Sequence, residues 1–285
     1  MPLRTSDGLG VRLSTSARVC AHLLAASACV CLRLSASECV LHQANHGAAS
    51  THAEKLLVLG GYNGVSKYAD MELRELHIGA DWAWRRVLSG ALGSPGTRSY
   101  SGPSPRAHHS TTRLAGDRLL CFGGADGEGA YADVHILDLS TMAWSQPSVR
   151  GSPPTGRSGH AAVALDGVRV LVHGGWGRSS SSVSAGATSG SSRSGSSTHA
   201  LAPAQSLALA GSTPVLYNDV AVLDTETWEW TRPKLRGMPP APRVGHSLVP
   251  LPAAGREPAS LILFGGRAEG DAALNDLYEL RPADS

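Results

Sequence analysis

The sequence predicts an all-β protein built from about four repeated four-stranded units, and three observations carry that prediction. Of 285 residues, 33 are Gly and 17 are Pro while only 17% are charged, a balance that favours turns and short strands over long helices. A glycine pair ends an apolar run four times, in "KLLVLGG", "RLLCFGG", "VRVLVHGG" and "SLILFGG", which places Gly60, Gly61, Gly123, Gly124, Gly174, Gly175, Gly265 and Gly266. The pairs recur in register with other residues at a period near fifty, so the chain reads as a repeat.

Residues 1–42 stand apart as an N-terminal extension. Cys20, Cys29, Cys31 and Cys39 lie there and Cys121 alone lies beyond, whereas a disulfide framework would spread its cysteines through the fold; a reducing compartment is expected. Cys29-x-Cys31 with Cys39-x-x-His42 lacks the paired C-x-x-C knuckles of structural zinc sites, so no metal and no cofactor is expected. Residues 1–40 are poor in acid and carry Arg4, Arg12, Arg18 and Arg33 among Ser, Thr and Ala. Two locations follow: cytoplasmic, or organellar with this segment as a transit peptide. The apolar stretch 19–34 contains His22 and Arg33 and is too short for a membrane span.

From residue 43 to 285 the repeat organises the chain. His46, His109 and His160 each stand fourteen residues before the first glycine of their pair, and His246 stands nineteen before, with "AAGREPAS" taking up the excess. Arg106, Arg157 and Arg243 precede their histidines by three residues; the first copy has Gln43 there. After each pair come a loop and then "YAD", "YAD", "YND" or "LND", ending at Asp70, Asp133, Asp219 and Asp276. Five residues later stand Glu75, Asp138, Asp224 and, breaking the pattern, Arg281, and the tryptophans Trp84, Trp144 and Trp230 follow in the first three copies. His109 to His160 is 51 residues; His160 to His246 is 86, which a 35-residue insertion explains.

Within the third copy the strands read "HAAVALD", "VRVLVHG", "DVAVLDT" and "WEWTRPKL", with Asp166-Gly167 as a hairpin signal that tolerates positive φ. A sheet of this kind cannot bury both faces alone and must stack on its neighbours; radial stacking gives a propeller. The coincidence of Gly-Gly, Arg-x-x-His, Asp and Trp over residues 43–280 closely resembles the kelch repeat. The expected fold is therefore a kelch-type β-propeller of about four blades. The fourth unit lacks its outer strand, and the apolar alternation at 30–34 is a candidate to supply it beside 276–280 and close the ring. Kelch-type propellers commonly have five to seven blades, so the alternatives are a truncated product or open edges that pair with another subunit.

The markers have expected structural roles. Gly-Gly supplies backbone conformations or close approaches that side chains forbid. The Asp bonds backbone amides at the start of the third strand. Trp fills the space between sheets, and Arg-x-x-His makes a polar contact between blades. The serine-rich tract 178–214 has no aromatic residue and few charges, and is expected as a disordered insertion between the second and third strands.

No catalytic motif is present: G-x-S-x-G, the Walker loop and G-x-G-x-x-G are all missing, and Gly174-Gly175-Trp176-Gly177 lacks the Lys-Ser/Thr that phosphate binding needs. The net charge of +2, with scattered Lys and Arg, argues against nucleic acid. The expected function is a non-catalytic scaffold that holds an unidentified protein partner on the face carrying the loops after the glycine pairs. Candidate contacts are Tyr62, Asn63, Lys67, Asp126, Glu128, Trp176, Arg178, Arg267 and Glu269. The alternative is an enzyme, or a binder of small ligands or metal, that uses the axial channel. The P-x-x-R-x-G-H form at 154–160 and 240–246 resembles kelch sets of membrane-traffic effectors and regulatory scaffolds.

Overall fold

A computed structural model describes residues 19–20, 31–32, 47–50, 55–62, 71, 73–77, 83–87, 102–126, 128–178, 214–251 and 260–281. His46, Asn63, Lys67 and most of the insertion lie outside them. The described residues are all β apart from one 3-10 turn at Glu269–Asp271. A short ladder joins β1 (Val19–Cys20) to β2 (Cys31–Leu32). Cys31–Leu32 belongs to the segment considered for closing the fourth unit, and residues 30, 33 and 34 of that segment lie outside the described residues.

Four sheets follow. The first is β3 (Gly47–Ser50), β4 (Lys55–Leu59), β5 (Leu73–His77) and β6 (Ala83–Val87), antiparallel in chain order. The second repeats this order with β7 (Ser110–Leu114), β8 (Arg118–Phe122), β9 (Val134–Asp138) and β10 (Ala143–Ser145). In the third, β11 (Arg150–Gly151) comes from the preceding connection. It adds in parallel beyond a sheet of β12 (Ala161–Ala164), β13 (Arg169–His173), β16 (Val220–Asp224) and β17 (Glu229–Thr231). Between β13 and β16, a small hairpin of β14 (Trp176–Arg178) and β15 (Pro214–Leu216) brackets the insertion. The fourth sheet has three strands, β18 (Ser247–Leu251), β19 (Ser260–Phe264) and β20 (Leu277–Leu280). Among the described residues it lacks an outer strand, as the sequence predicts.

Alternation along each strand buries both faces of the middle sheets. On the second sheet Leu119, Cys121, Leu137 and Trp144 pack against Leu57, Leu59, Met71 and Leu73 of the first. Its opposite face, with Leu120, Phe122, Val134 and Ile136, packs against Val170, Val172, Ala221, Leu223 and Trp230 of the third. The third and fourth sheets share Ala161, Val163, Leu171, Val220, Leu248, Leu261 and Leu263. The sheets thus stack face to face in chain order, with β7 beside β3 and β12, and β12 beside β18. Each fully buried aliphatic or aromatic side chain in these layers contributes about 1.5–3 kcal/mol.

The glycine pairs fulfil both expected roles. Gly174 and Gly175 have φ of +64° and +93°, a region that L side chains avoid. A Cβ on Gly174 would lie 2.8 Å from the His246 ring of the next sheet, and one on Gly175 would lie 2.9 Å from its own sheet's Ser158 carbonyl. The Asp166-Gly167 turn behaves differently: neither residue has positive φ. Gly167 is needed for close approach, because its carbonyl accepts the Ala115 N–H of the second sheet and a Cβ would meet Ala115 at 2.9 Å. Asp166 shapes the turn through its side chain, which accepts the amides of Val168 and Arg169.

Gly175→Ala is expected to destabilise the protein by roughly 2–4 kcal/mol, from strain and overlap together. Gly270→Ala, at φ +72° with nothing within 4 Å of a built Cβ, meets the strain alone and should cost about 1 kcal/mol. Thermal or urea unfolding of both variants checks the ranking.

Candidate functional site

Antiparallel order puts the loops after the second strands, the segments before the first strands and the starts of the third strands on one face of the stack. Buried arginines hold this face together. Arg157 is fully buried, and its guanidinium makes two bonds to Asp219, at 2.7 and 3.0 Å, and one to the Gly174 carbonyl at 2.9 Å. Arg106 repeats the arrangement with Asp133 and Gly123, and Arg243 with Asp276 and Gly265. Each guanidinium also lies over a tyrosine ring: Tyr131, Tyr217 or Tyr278. Asp133, Asp219 and Asp276 therefore take the Arg side chain rather than turn amides, and the Arg contact is made within its own blade. Asp138 and Asp224, five residues further on, are the ones that accept turn amides.

Contact between blades runs through the backbone around that arginine. The Arg157 carbonyl accepts the Gly124 N–H and its own N–H donates to the Tyr131 carbonyl, both in the preceding sheet. Arg243 repeats both bonds on Gly175 and Tyr217, and Arg106 accepts from Gly61. Nearer the axis, the Gly159 N–H donates to the His108 carbonyl and the Gly245 N–H to the Gly159 carbonyl. The histidines cross the same joints. His160 Nε2 is 2.8 Å from Ser110 Oγ, and His246 Nε2 is 2.9 Å from His173 Nδ1.

The electrostatics follow from burial. Burial works against the charge on Asp133, but hydrogen bonds from His135 and Arg106 outweigh it and hold the carboxyl well below the usual range. Arg243 lowers Asp276 in the same way. Burial, with the Arg243 charge beside it, lowers His173 to about 4. Burial, then His173 and Arg243, lowers His246 to about 3. Burial, with a smaller push from the Asp133 charge, drives the Cys121 thiol up to about 12 against the opposing pull of Arg106, which leaves it inert as a nucleophile. Among the described residues no three His, Cys, Asp or Glu side chains converge as a metal-ligand set.

The candidate contact residues divide on this frame. Tyr62, Trp176 and Arg267 occupy the equivalent position directly after a glycine pair, and Trp176 and Arg267 bridge back to Ser158 and Val244. Trp176 is half-buried in its hairpin, and the Arg178 backbone carbonyl accepts the Tyr217 hydroxyl. Asp126 is engaged within its own loop, accepting the Glu128 and Gly129 amides and the Tyr131 hydroxyl. Glu128, Arg267 and Glu269 are exposed on the face. Sequence reasoning passed over the loop 232–242 on the same face, where Leu235 is 48% and Met238 91% exposed. The signal was present in the match between "VRGSPP" and "LRGMPP". No helix among the described residues is long and apolar enough to cross a membrane.

The family model for the KLHDC2/KLHL20/DRC7 Kelch-repeats domain matches residues 22–185. The Rab9 effector protein with kelch motifs of Gallus gallus is 31% identical over 79% of this chain and 47% of its own length. Host cell factor 1 of Homo sapiens is 30% identical over 70% of this chain and 8% of its own. The chain thus spans less than half of either relative. The structure of YjhT superposes with a TM-score of 0.50 at 15% identity, covering 85% of this chain and 66% of that one, a likeness of fold.

Arg157→Ala leaves the Gly174 carbonyl without its guanidinium donor and Asp219 with Arg232 alone of its two arginines, and should cost about 3 kcal/mol in unfolding free energy. His173 and His246 are neutral when folded but titrate near the ordinary 6.5 when unfolded. Protons therefore bind the unfolded chain preferentially, and stability is lost as pH falls from about 6.5 towards about 4. Melting temperature followed across that window should drop, and His173→Phe, which installs the residue found at the equivalent Phe122 and Phe264, should flatten the slope.

Proposed function

The chain belongs to the kelch-repeat family, and from that premise we propose that it is a non-catalytic scaffold that grips a protein partner on the face carrying the post-glycine loops. The observation that carries the reading is the division of labour on that face. Buried Arg–Asp pairs fix the loop bases, while Glu128, Arg267 and Glu269 project from them into solvent. Charged groups on a rigid base suit recognition, because little conformational entropy is lost on docking. The Gallus gallus relative is by its name an effector of Rab9, which supports a protein partner for this chain as well. The inert Cys121 favours a scaffold over an enzyme that works through a covalent thiol intermediate.

A Glu128→Lys, Arg267→Glu double variant should melt like the wild type and lose captured partners in a quantitative affinity pulldown. Identical partner sets at equal yield would overturn the face assignment.

A further inference from the structure

His108 breaks the repeat at a backbone position that the next two units give to glycine. It stands directly before the marker His109, as Gly159 stands before His160 and Gly245 before His246. All three positions are left-handed, with φ of +56°, +63° and +68°. Glycine adopts that region freely, whereas a side chain is strained there. The second unit therefore carries strain that its neighbours avoid, and strain held against an available glycine marks a side chain with a task.

The task does not lie inside the fold. His108 is exposed, and its ring nitrogens have no hydrogen-bond partner among the described residues. Desolvation nevertheless lowers the imidazole to about 4 with no charged group contributing, so at neutral pH the ring is uncharged, with one donor and one acceptor. A side chain that solvent reaches and that is still desolvated lines a recess. Its floor continues onto the next units: the Gly159 N–H donates to the His108 carbonyl, the Gly245 N–H donates to the Gly159 carbonyl, and both glycines are half-buried. Trp176 stands beside this floor, its Cδ1 3.9 Å from a Cβ built on Gly159.

We propose that this recess, at the axial end of the loop face, receives a tyrosine side chain of the protein partner, its ring over Gly159 beside Trp176 and its hydroxyl donating to the His108 imidazole. The chemistry of the recess selects the occupant. A carboxylate or an ammonium group would give up hydration there with no opposite charge to offset the loss. An aliphatic side chain would leave the imidazole acceptor unmet. A phenol brings an apolar ring for the glycine floor and a single hydroxyl for the imidazole. This occupant rests on the loop-face reading proposed above and specifies what enters at the centre of that face.

The probes are the peptide acetyl-GSYSG-amide and its counterparts with phenylalanine or glutamate in place of the tyrosine. Each is titrated into the whole chain while histidine ring resonances are followed by NMR, the His108 signals being those missing from His108→Gly. The tyrosine peptide should shift them saturably with a Kd below about 10 mM, and the other two should bind at least about threefold more weakly. His108→Gly should abolish the binding and melt no lower than the wild type, because it relieves the strain. The proposal is overturned by any of four results: no saturable shift at His108, phenylalanine or glutamate bound as tightly as tyrosine, binding retained in His108→Gly, or a lower melting temperature for that variant, which would give the ring a packing role. The loop-face reading fails separately: undiminished partner capture by the Glu128→Lys, Arg267→Glu double variant overturns that reading, while tyrosine-peptide binding at His108 still stands or falls on its own titration.

Discussion

The structure depends on a buried guanidinium in each of three units. Taking an arginine out of water costs several kcal/mol, and that cost is offset only when every donor finds an acceptor. Here each guanidinium meets a carboxylate, a glycine carbonyl and a tyrosine face. Because the side chain is fixed so completely, the peptide groups beside it are fixed too, and those groups carry the bonds to the neighbouring sheet. One residue therefore ties the first strand of a blade to its second and third, and then ties the blade to its predecessor. The glycine pair is the counterpart of this arginine: the first glycine leaves room for the next histidine and the second offers the N–H that the next arginine's carbonyl accepts.

The 35-residue insertion is accommodated by the same device. Arg157 and Asp219 are 62 residues apart in sequence where Arg106 and Asp133 are 27, yet the two pairs have the same geometry. Lengthening a loop costs only about 0.6 kcal/mol per doubling, so a bidentate ion pair at the loop base easily holds it. The β14–β15 hairpin adds a second clamp, with Gly177 set against the Gly156 carbonyl so closely that only glycine fits. Sequence spacing alone gave the insertion; the clamp that isolates it comes from the strand pairings of Trp176 with Leu216, Gly177 with Val215 and Arg178 with Pro214.

Legibility followed the distance over which a residue acts. Strands, their order and the glycine turns could be read, because period-two alternation and positive φ are local properties. The partner of each Asp could not, since a carboxylate after a loop suits a turn amide and a guanidinium equally, and only folding brings the arginine to it. The face of the candidate site was legible from strand order alone. The engagement of its side chains was less so: Asp126 accepts hydrogen bonds within its own loop, and Trp176 is half-buried. The parallel strand β11 was also missed, because two exposed residues have no periodicity to detect.

The joints are alike in backbone and different in side chains, which makes them individually adjustable. Between the second and third sheets, His160 meets the edge of Phe122 and the Ser110 hydroxyl. Between the third and fourth, the phenylalanine is replaced by His173, and two imidazoles share a hydrogen bond in a site that disfavours charge on either. A protonated ring there loses its acceptor and faces Arg243 nearby, so acid weakens this joint, and burial holds His160 neutral at the neighbouring one in the same way. In a stack where each sheet touches only its neighbours, weakening one joint need not loosen the rest. At the fourth sheet's joint a histidine pair therefore stands beside the arginine ties that this joint shares with the others.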